Sequence, residues 1–256
     1  MNSPDTQPVI IAAKRTPVGR FLGGLSKVPS PKLGSFAIQS ALKESGVSMD
    51  QVDECIMGCV LQAGLGQNPA RQAALGAGLP TSISAVTINK VCGSGLQAVI
   101  QAAQSIRAGD NTTVVAGGFE NMSRSPHLSH IRSGIKFGPG ELVDHMAHDG
   151  LTCAFEGWGM GNAAEWTAKE FSISRQDQDI FSAQSHQKAS SATELGWFTE
   201  EIIPLEADII KQRSSVDIDE GVRGDSTVDS LGKLRPAFAK EGSVTAGNAS
   251  QISDGG

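Results

Sequence analysis

The stretch "SISAVTINKVCGSGLQAVIQAAQSIRAGDNTTVVAGG", residues Ser82–Gly118, contains three secondary-structure signals in direct succession. Its first part, up to Asn89, is rich in the β-branched residues that are typical of strands. From Gly95 to Ala108 apolar residues recur at helical spacing, and residues 111–118 again indicate a strand. A strand, a helix and a second strand of these lengths predict a crossover unit with two parallel strands.

The segments upstream continue the same alternation. A short apolar run at Pro8–Arg15 predicts a strand, and an amphipathic pattern with Pro31 at its first position predicts a helix from Ser30 to Gly46. Residues 53–62 indicate a further strand and residues 68–78 a short Ala-rich helix. The order of these elements predicts an α/β fold with a layered core around a largely parallel sheet.

The pattern changes after Gly118. Residues 120–161 are rich in Gly, Ser, His and Met without a clear period, which predicts a long excursion from the core. Helical signals return at residues 161–171 and 174–195, where Ser174 and Asp177 match a capping box. We therefore expect a core domain from residues 1–121 and 248–256, and an inserted, α-rich loop domain from residues 122–247.

Composition excludes several functional classes. The chain has 256 residues and a formal net charge of −6, which argues against a general nucleic-acid-binding protein. No apolar run approaches the roughly 20 residues that cross a bilayer, and the N-terminus lacks a signal-peptide pattern, so we expect a cytoplasmic protein without a membrane partner. The four cysteines are too few for a disulfide scaffold, and we expect reduced thiols, with Cys55, Cys59 and Cys153 in structural positions.

The fourth cysteine, Cys92, stands directly before the predicted helix. A helix N-terminus favours an anion, because its first N–H groups lack partners within the helix, and a thiol attacks only as the thiolate. Gly93 and Gly95 leave space in which an acyl group could approach and a backbone N–H could face an oxyanion. This pattern indicates covalent acyl transfer through Cys92; a small buried cysteine at a strand–helix turn is the structural alternative.

Five motifs in register resemble the thiolase family, and they span nearly the whole chain. They are "RTPVGRFLGGL", "NKVCGSGLQAV", "GGFENMS", "KLRPAF" and "GSVTAGNASQISDG". The insertion from Ser125 to Glu165 is most similar to the loop domain of the short-chain, tetrameric acetyl-CoA acetyltransferases. The resemblance implies the thiolase-like layered α/β fold, with the N-terminal half and the loop domain present.

The resemblance also implies a reaction and its site residues. Two acetyl-CoA molecules would be joined into acetoacetyl-CoA and CoA, or the reverse, through an acyl-Cys92 thioester. Coenzyme A is substrate and product, and no separate cofactor or metal is expected. The full-length family members are homo-oligomers, dimers or tetramers. The CoA contacts that carry over are Leu151, Met160, Arg223, Ser230, Phe238, Ala246 and Ser250.

Three further features bear on ligand binding. The excursion holds a basic group, which either attracts a polyanionic ligand or is a solvated loop: His127, His130, Arg132 and Lys136. Gly159 stands where a histidine commonly precedes the methionine in acetoacetyl-CoA-specific relatives, which leaves the accepted acyl chain length open. The two His-x-x-His spacings lack the further ligands of a zinc site, so none is expected.

Two alternatives to a complete enzyme follow from the same resemblance. Thiolases continue into a second half that supplies an activating histidine, an asparagine-held water and a second cysteine. We expect the 256-residue chain alone, whether fragment or natural truncation, to have little or no thiolase activity, because enolate formation needs a base. A non-catalytic CoA-binding or oligomerisation module is the second interpretation. A ketoacyl synthase ranks last, because those enzymes lack "GGFENMS" and the long loop domain.

Overall fold

The computed structural model describes residues 7–256 and divides the chain into two compact units. The first unit comprises the described part of Met1–Met146, with Glu200–Glu220 and Ser253–Gly256. The second comprises Ala147–Thr199 and Gly221–Ile252. The regular elements are β1 Gly19–Arg20, α1 Ser30–Ser45, β2 Glu54–Gly58, α2 Pro69–Gly76, β3 Ser84–Ile88, α3 Ser94–Ala108, β4 Val114–Gly118, β5 Glu120–Asn121, β6 His127–Leu128, β7 Val143–Asp144, α4 Met160–Glu170, α5 Arg175–Glu194, α6 Ala207–Ile210, α7 Val228–Gly232 and β8 Ser253–Gly255.

A three-stranded parallel sheet with the order β3-β2-β4 forms the centre of the first unit. Successive residues of a strand point to opposite faces. Cys55 and Met57 of β2 pack with α1 and α2 on one face, whereas Ile56 packs with Ala98 and Ala102 of α3 on the other. Helices therefore cover both faces of the sheet, and the predicted layered α/β class is confirmed.

The crossover from β3 through α3 to β4 is also confirmed, and its strands are parallel through β2. Helix α3 begins at Ser94 with Gly93 as its N-cap, and it ends at Ala108 with Gly109 as its C-cap in a left-handed conformation. The helix from Ser30 is present as well, although its N-cap is Pro29 and Ser30 is already helical. The capping box of Ser174 and Asp177 opens α5 as predicted.

The prediction of a strand at Pro8–Arg15 is wrong. Residues 8–14 have no regular secondary structure, and only Arg15 forms an isolated bridge, with Ile202. Val9 and Ile10 are 75% and 78% exposed. An apolar run becomes a strand only where a neighbouring strand offers backbone partners, and within residues 7–256 this run has no such partner beyond Arg15.

Two small antiparallel sheets complete the first unit. β8 lies between β1 and β5, and β6 pairs with β7. The last strand, β8, is fixed by Asp254, which is 1% exposed and accepts hydrogen bonds from the backbone N and Oγ of Ser123. A second apolar cluster in this unit includes Leu25, Leu33 and Leu205.

The second unit is helical, with α4, α5 and α7 as its regular elements. Asp179 on α5 is 2% exposed and accepts hydrogen bonds from Arg175 Nε at 2.8 Å and Asn248 Nδ2 at 2.9 Å. The two units differ in extent from the predicted domains. Residues 122–146 and 200–220, predicted in the loop domain, lie in the first unit, whereas residues 248–252, predicted in the core, lie in the second.

Three glycines bring the start of α3 against the carboxyl ends of β2 and β4. A Cβ added to Gly58 would lie 2.6 Å from the carbonyl carbon of Ser94. A Cβ added to Gly118 would lie 3.3 Å from Cα of Gly95. A side chain at Gly58 would collide with the backbone of α3, and one at Gly118 would make a contact tighter than usual, so glycine permits this close approach.

We predict that Gly58→Ala lowers the free energy of unfolding by about 1–3 kcal/mol, because the added methyl group forces the first turn of α3 away from the sheet. The measurement is urea unfolding followed by far-UV circular dichroism. Gly93→Ala is the matched control, because an added Cβ there meets only ordinary contacts, the nearest being Lys90 O at 3.4 Å. Equal losses in the two variants would contradict the prediction.

Candidate active site

The turn between β3 and α3 carries Cys92 and is braced by its own side chains. Ser94 Oγ accepts a hydrogen bond from the Lys90 N–H at 2.8 Å and donates to Val91 O at 2.6 Å. Asn89 Oδ1 accepts from the Val91 N–H at 2.9 Å. Val91 has φ +49°, a left-handed conformation that β-branched residues rarely adopt. The backbone immediately before Cys92 is therefore held in an unusual conformation by three polar contacts.

The Cys92 side chain is exposed and forms no disulfide. It precedes the N-cap Gly93, so the sequence prediction of a thiol at the helix start is confirmed to within two residues. The first N–H groups of a helix point back past its N-terminus, which is the direction of this turn. Within residues 7–256, no hydrogen bond joins Cys92 Sγ to a histidine or a carboxylate. The turn exposes a thiol, and among the described residues no base is hydrogen-bonded to it.

The loop that follows β2 is fixed by Glu120, a residue whose role sequence analysis missed. Glu120 accepts hydrogen bonds from the backbone N–H groups of Val60 at 2.8 Å and Leu61 at 3.2 Å. The backbone N–H of Cys59 donates to Ile88 O at 3.1 Å, at the end of β3. The loop is thereby connected to both neighbouring strand ends. Glu120 lies in the quoted motif "GGFENMS", but a motif does not show which backbone groups a side chain will meet.

Burial distinguishes the other thiols of this unit from Cys92. Cys55 and Cys59 are 0% and 1% exposed. Burial, with a smaller contribution from Glu54, raises the pKa of the Cys55 thiol to about 12. Burial also raises the pKa of Cys59, as does the neighbouring Glu120 carboxyl, and burial likewise raises the pKa of Glu120. Both cysteines occupy buried structural positions, in agreement with their sequence interpretation.

Three of the predicted CoA contacts meet at the start of α4 in the second unit. The Met160 N–H donates to Leu151 O at 2.8 Å. A Cβ added to Gly161 would lie 2.1 Å from Cδ1 of Phe238, so the ring packs on the backbone next to Met160. Met160 and Phe238 are each 41% exposed. These side chains form a half-exposed apolar surface, as an apolar wall for a ligand would require.

Ala246 and Ser250 are exposed on a nearby turn of the same unit. Glu165 on α4 holds this turn, because its carboxylate accepts hydrogen bonds from the N–H groups of Ser243 and Val244, each at 2.8 Å. Burial alone would raise the pKa of Glu165, but these hydrogen bonds outweigh it and hold the pKa below its usual value. Glu165 is thus a positioning residue that the sequence analysis did not identify.

The remaining two predicted contacts lie on the segment that leads into α7. Arg223 is exposed, and its backbone N–H donates to His186 Nδ1 at 3.2 Å. Within residues 7–256 its guanidinium forms no hydrogen bond or ion pair. Ser230 is exposed, but its hydroxyl belongs to the capping box of α7 and donates to Thr227 O at 2.9 Å. The structure therefore gives Ser230 a local role in addition to the predicted one.

The basic group of the excursion is exposed throughout: His127, His130, Arg132 and Lys136. His145, from one of the two His-x-x-His spacings, is buried, and its Nε2 accepts a hydrogen bond from the Ala63 N–H at 3.4 Å. Among the described residues, no group of three or more His, Cys, Asp or Glu side chains could hold a metal ion. No helix in residues 7–256 combines the length and apolarity needed to cross a membrane.

The fold and the turn define a class: layered α/β proteins that present an exposed cysteine between a parallel strand and the helix that covers it. The family model described as "Thiolase, N-terminal domain" matches residues 8–256. The chain therefore belongs to the thiolase family, and the resemblance of the five motifs is confirmed.

Two curated relatives and one solved structure have related names. The acetyl-CoA acetyltransferase of Chromobacterium violaceum is 51% identical over 251 residues, which cover 96% of this chain and 63% of the relative. The acetyl-CoA acetyltransferase of Cupriavidus necator is 51% identical over 255 residues, which cover 98% of this chain and 64% of the relative. The crystal structure of the Bacillus anthracis acetyl-CoA acetyltransferase superposes on this chain with a TM-score of 0.91 at 39% sequence identity. The match covers 98% of this chain and 64% of that one. The chain thus spans just under two thirds of the length of each.

We predict that iodoacetamide modifies Cys92 faster than any other cysteine of the native chain. Cys92 is exposed, Cys153 is partly buried, and Cys55 and Cys59 are buried. The four rates are measured by peptide mass spectrometry of samples quenched at intervals, with the urea-unfolded chain as the reference for full access. Modification of Cys92 no faster than Cys153 would show that the turn does not present the thiol.

We predict that Glu165→Gln loosens the turn at Ser243 and Val244 by about 1 kcal/mol. Both carboxylate oxygens accept hydrogen bonds, whereas glutamine keeps one neutral acceptor oxygen, and the partly solvated site limits the loss. The folded-state pKa lies below the usual carboxyl value of 4.5, so the stabilisation is complete above that value and is lost as the pH falls through the lowered one.

Hydrogen exchange of the Ser243 and Val244 amides measures this effect, with variant and wild type compared at the same pH. The difference in exchange rate between variant and wild type should be largest at neutral pH and should decrease in acid. Glu170→Gln is the control, because Glu170 is exposed on the same helix. A difference that is independent of pH would contradict the role of the ionised carboxylate.

Proposed function

We propose that this chain provides the acyl-accepting cysteine and part of the CoA-binding surface of a thiolase-type acyltransferase, an acetyl-CoA acetyltransferase. The observation that carries the proposal is the exposed Cys92 on the braced turn before α3. The names of the relatives support acetyl-CoA as the substrate, and acetoacetyl-CoA is the product of the condensation that we propose. The full-length form is proposed to be a cytoplasmic homo-oligomer.

The proposed first step is transfer of the acetyl group to Cys92. The thiolate attacks the thioester carbonyl of acetyl-CoA, the C–S bond to CoA breaks, and the CoA thiolate leaves and takes up the proton that Cys92 released. Amide N–H groups at the start of α3 would stabilise the oxyanion of the tetrahedral intermediate. Gly93 and Gly95 keep side chains away from the approaching acyl group.

The proposed second step forms the new carbon–carbon bond. A second acetyl-CoA loses a proton from its methyl carbon to a base, its carbanion attacks the acetyl carbonyl on Cys92, and the Cys92 thiolate leaves. Among the described residues no base is hydrogen-bonded to Cys92. We propose that the 256-residue chain alone carries out this step weakly or not at all, because enolate formation needs a base.

The CoA-binding surface is proposed to combine the apolar wall of Leu151, Met160 and Phe238 with the turn that carries Ala246 and Ser250. Arg223 supplies a planar cation, which suits an adenine ring or a phosphate. The exposed basic group around His130 and Arg132 would attract the polyanionic ligand at long range.

A second candidate function is CoA binding without chemistry. One observation favours it: all seven predicted CoA contacts lie in the second unit, whereas Cys92 lies in the first. A chain in this role would bind CoA with the same affinity whether or not Cys92 is present.

We predict that incubation with acetyl-CoA adds one acetyl group to the native chain, and that Cys92→Ser abolishes this addition. Intact-protein and peptide mass spectrometry locate the group, and its release by hydroxylamine identifies a thioester. Cys153→Ser is the matched control and should be acetylated like the wild type. We expect acetoacetyl-CoA formation no higher than in Cys92→Ser.

Two outcomes would count against the enzyme proposal. If CoA binds but Cys92 stays unmodified, the chain acts as a binding module. If acetylation occurs equally in Cys92→Ser, another residue is modified and the turn is not the acceptor.

A further inference from the structure

Two side chains of α5 hold the turn that carries Arg223. The Arg223 N–H donates to His186 Nδ1 at 3.2 Å, and Gln187 Nε2 donates to Ser226 O at 3.3 Å. The Ser226 N–H closes the turn by donating to Arg223 O at 3.0 Å. Both ends of the turn are therefore bonded to adjacent residues of one helix.

The middle of the turn lies directly against the same helix. A Cβ added to Gly224 would lie 2.4 Å from Ser190 Oγ, so the main chain approaches α5 more closely than a side chain would allow. Ser226, at the end of the turn, is only 7% exposed. Helix α5 thus determines where the main chain of Arg223 lies in the second unit.

Among the side chains that hold this turn, only that of His186 titrates. Its Nδ1 can accept a hydrogen bond only in the neutral ring, with the proton on Nε2. The imidazolium carries an N–H on both nitrogens, so protonation would set two donors against each other where one bond exists now. Histidine is the side chain that ordinarily changes charge between about pH 5 and 8.

The charged groups around His186 do not titrate in that range. On α5 the charged residue next to it in sequence is Lys188, and the positions one turn away are Ser and Ala. The elements that pack on this part of the helix contribute Arg223 and Asp225 from the turn and Asp229 from α7. Lysine, arginine and aspartate side chains ordinarily keep their charges from about pH 5.5 to 8. His186 is therefore the group that can make this turn respond to pH.

We propose that neutral His186 is a positioning residue for CoA binding, which holds Arg223 towards the ligand, and that protonation of His186 releases the turn and weakens binding. The inference rests on the function proposed above, in which the Arg223 guanidinium meets CoA. It also fixes a sign. A histidine that acted only as a nearby cation would bind the polyanionic ligand more tightly in acid, whereas a positioning histidine makes binding weaker in acid.

The test measures the dissociation constant of CoA for the full chain at about pH 8 and about pH 5.5 by isothermal titration calorimetry. His186→Asn is the conservative variant, because its Oδ1 can accept the Arg223 N–H at either pH. His186→Leu removes the acceptor at either pH. Comparing wild type with His186→Asn at the same pH cancels the protonation of the CoA phosphates. Far-UV circular dichroism checks that each variant is folded.

We expect wild type and His186→Asn to bind CoA equally at the higher pH. At the lower pH the wild type should bind about three- to tenfold more weakly than His186→Asn, the loss expected for one hydrogen bond. His186→Leu should be weaker than His186→Asn by a similar factor at both. Without CoA, hydrogen exchange measured by NMR should show that acid lowers the protection of the Arg223 amide in the wild type but not in His186→Asn.

Two results would overturn this inference alone while CoA still binds. One is the same pH dependence of affinity in wild type and His186→Asn. The other is tighter binding by the wild type than by His186→Asn in acid, which would show that His186 acts on the ligand through its charge. Failure of the folded wild type to bind CoA at the higher pH would instead contradict the proposed function itself.

Discussion

The architecture of the first unit depends on a contact between backbones without side chains. Gly58, Gly95 and Gly118 bring the ends of two parallel strands and the first turn of α3 within van der Waals distance. Because a helix start is the only part of a helix with free N–H groups, this contact delivers those groups to the carboxyl edge of the sheet. The same edge receives the turn of Cys92 and the loop that Glu120 holds. One steric condition thus determines where the nucleophile, its amide environment and the neighbouring loop can lie.

The elements that could be predicted from sequence are those whose partners are close along the chain. The helix from Ser94 carries its own apolar stripe and is followed by Gly109, and β3 and β4 flank it at distances that only a crossover connection fits. The segment at Pro8–Arg15 has an equally clear apolar pattern but forms no strand. An apolar pattern indicates that the side chains favour burial. A strand also requires a neighbouring backbone with which to form hydrogen bonds, and the local sequence does not show whether one is present.

The candidate site shows the same division. Cys92 was identifiable because cysteine chemistry and a helix start occupy adjacent positions in the sequence. Glu120 and Glu165 were not, because each acts through backbone N–H groups far away in the chain, at Val60 and Leu61 in one case and at Ser243 and Val244 in the other. Ser230 was assigned to a ligand by resemblance, yet its hydroxyl also caps α7. A resemblance to a family assigns a role to a residue position, whereas the hydrogen bonds in the structure show which further roles that residue has.

The left-handed conformation of Val91 helps to set the orientation of the Cys92 side chain. A valine at φ +49° stores conformational energy of the order of 1–3 kcal/mol, which the contacts of Asn89 and Ser94 must offset. The direction of the Cys92 Cα–Cβ bond is therefore a property of the main chain, set before any rotamer is chosen. Glycine at this position would relieve the strain of the folded state and would leave the backbone that orients the sulfur less restricted.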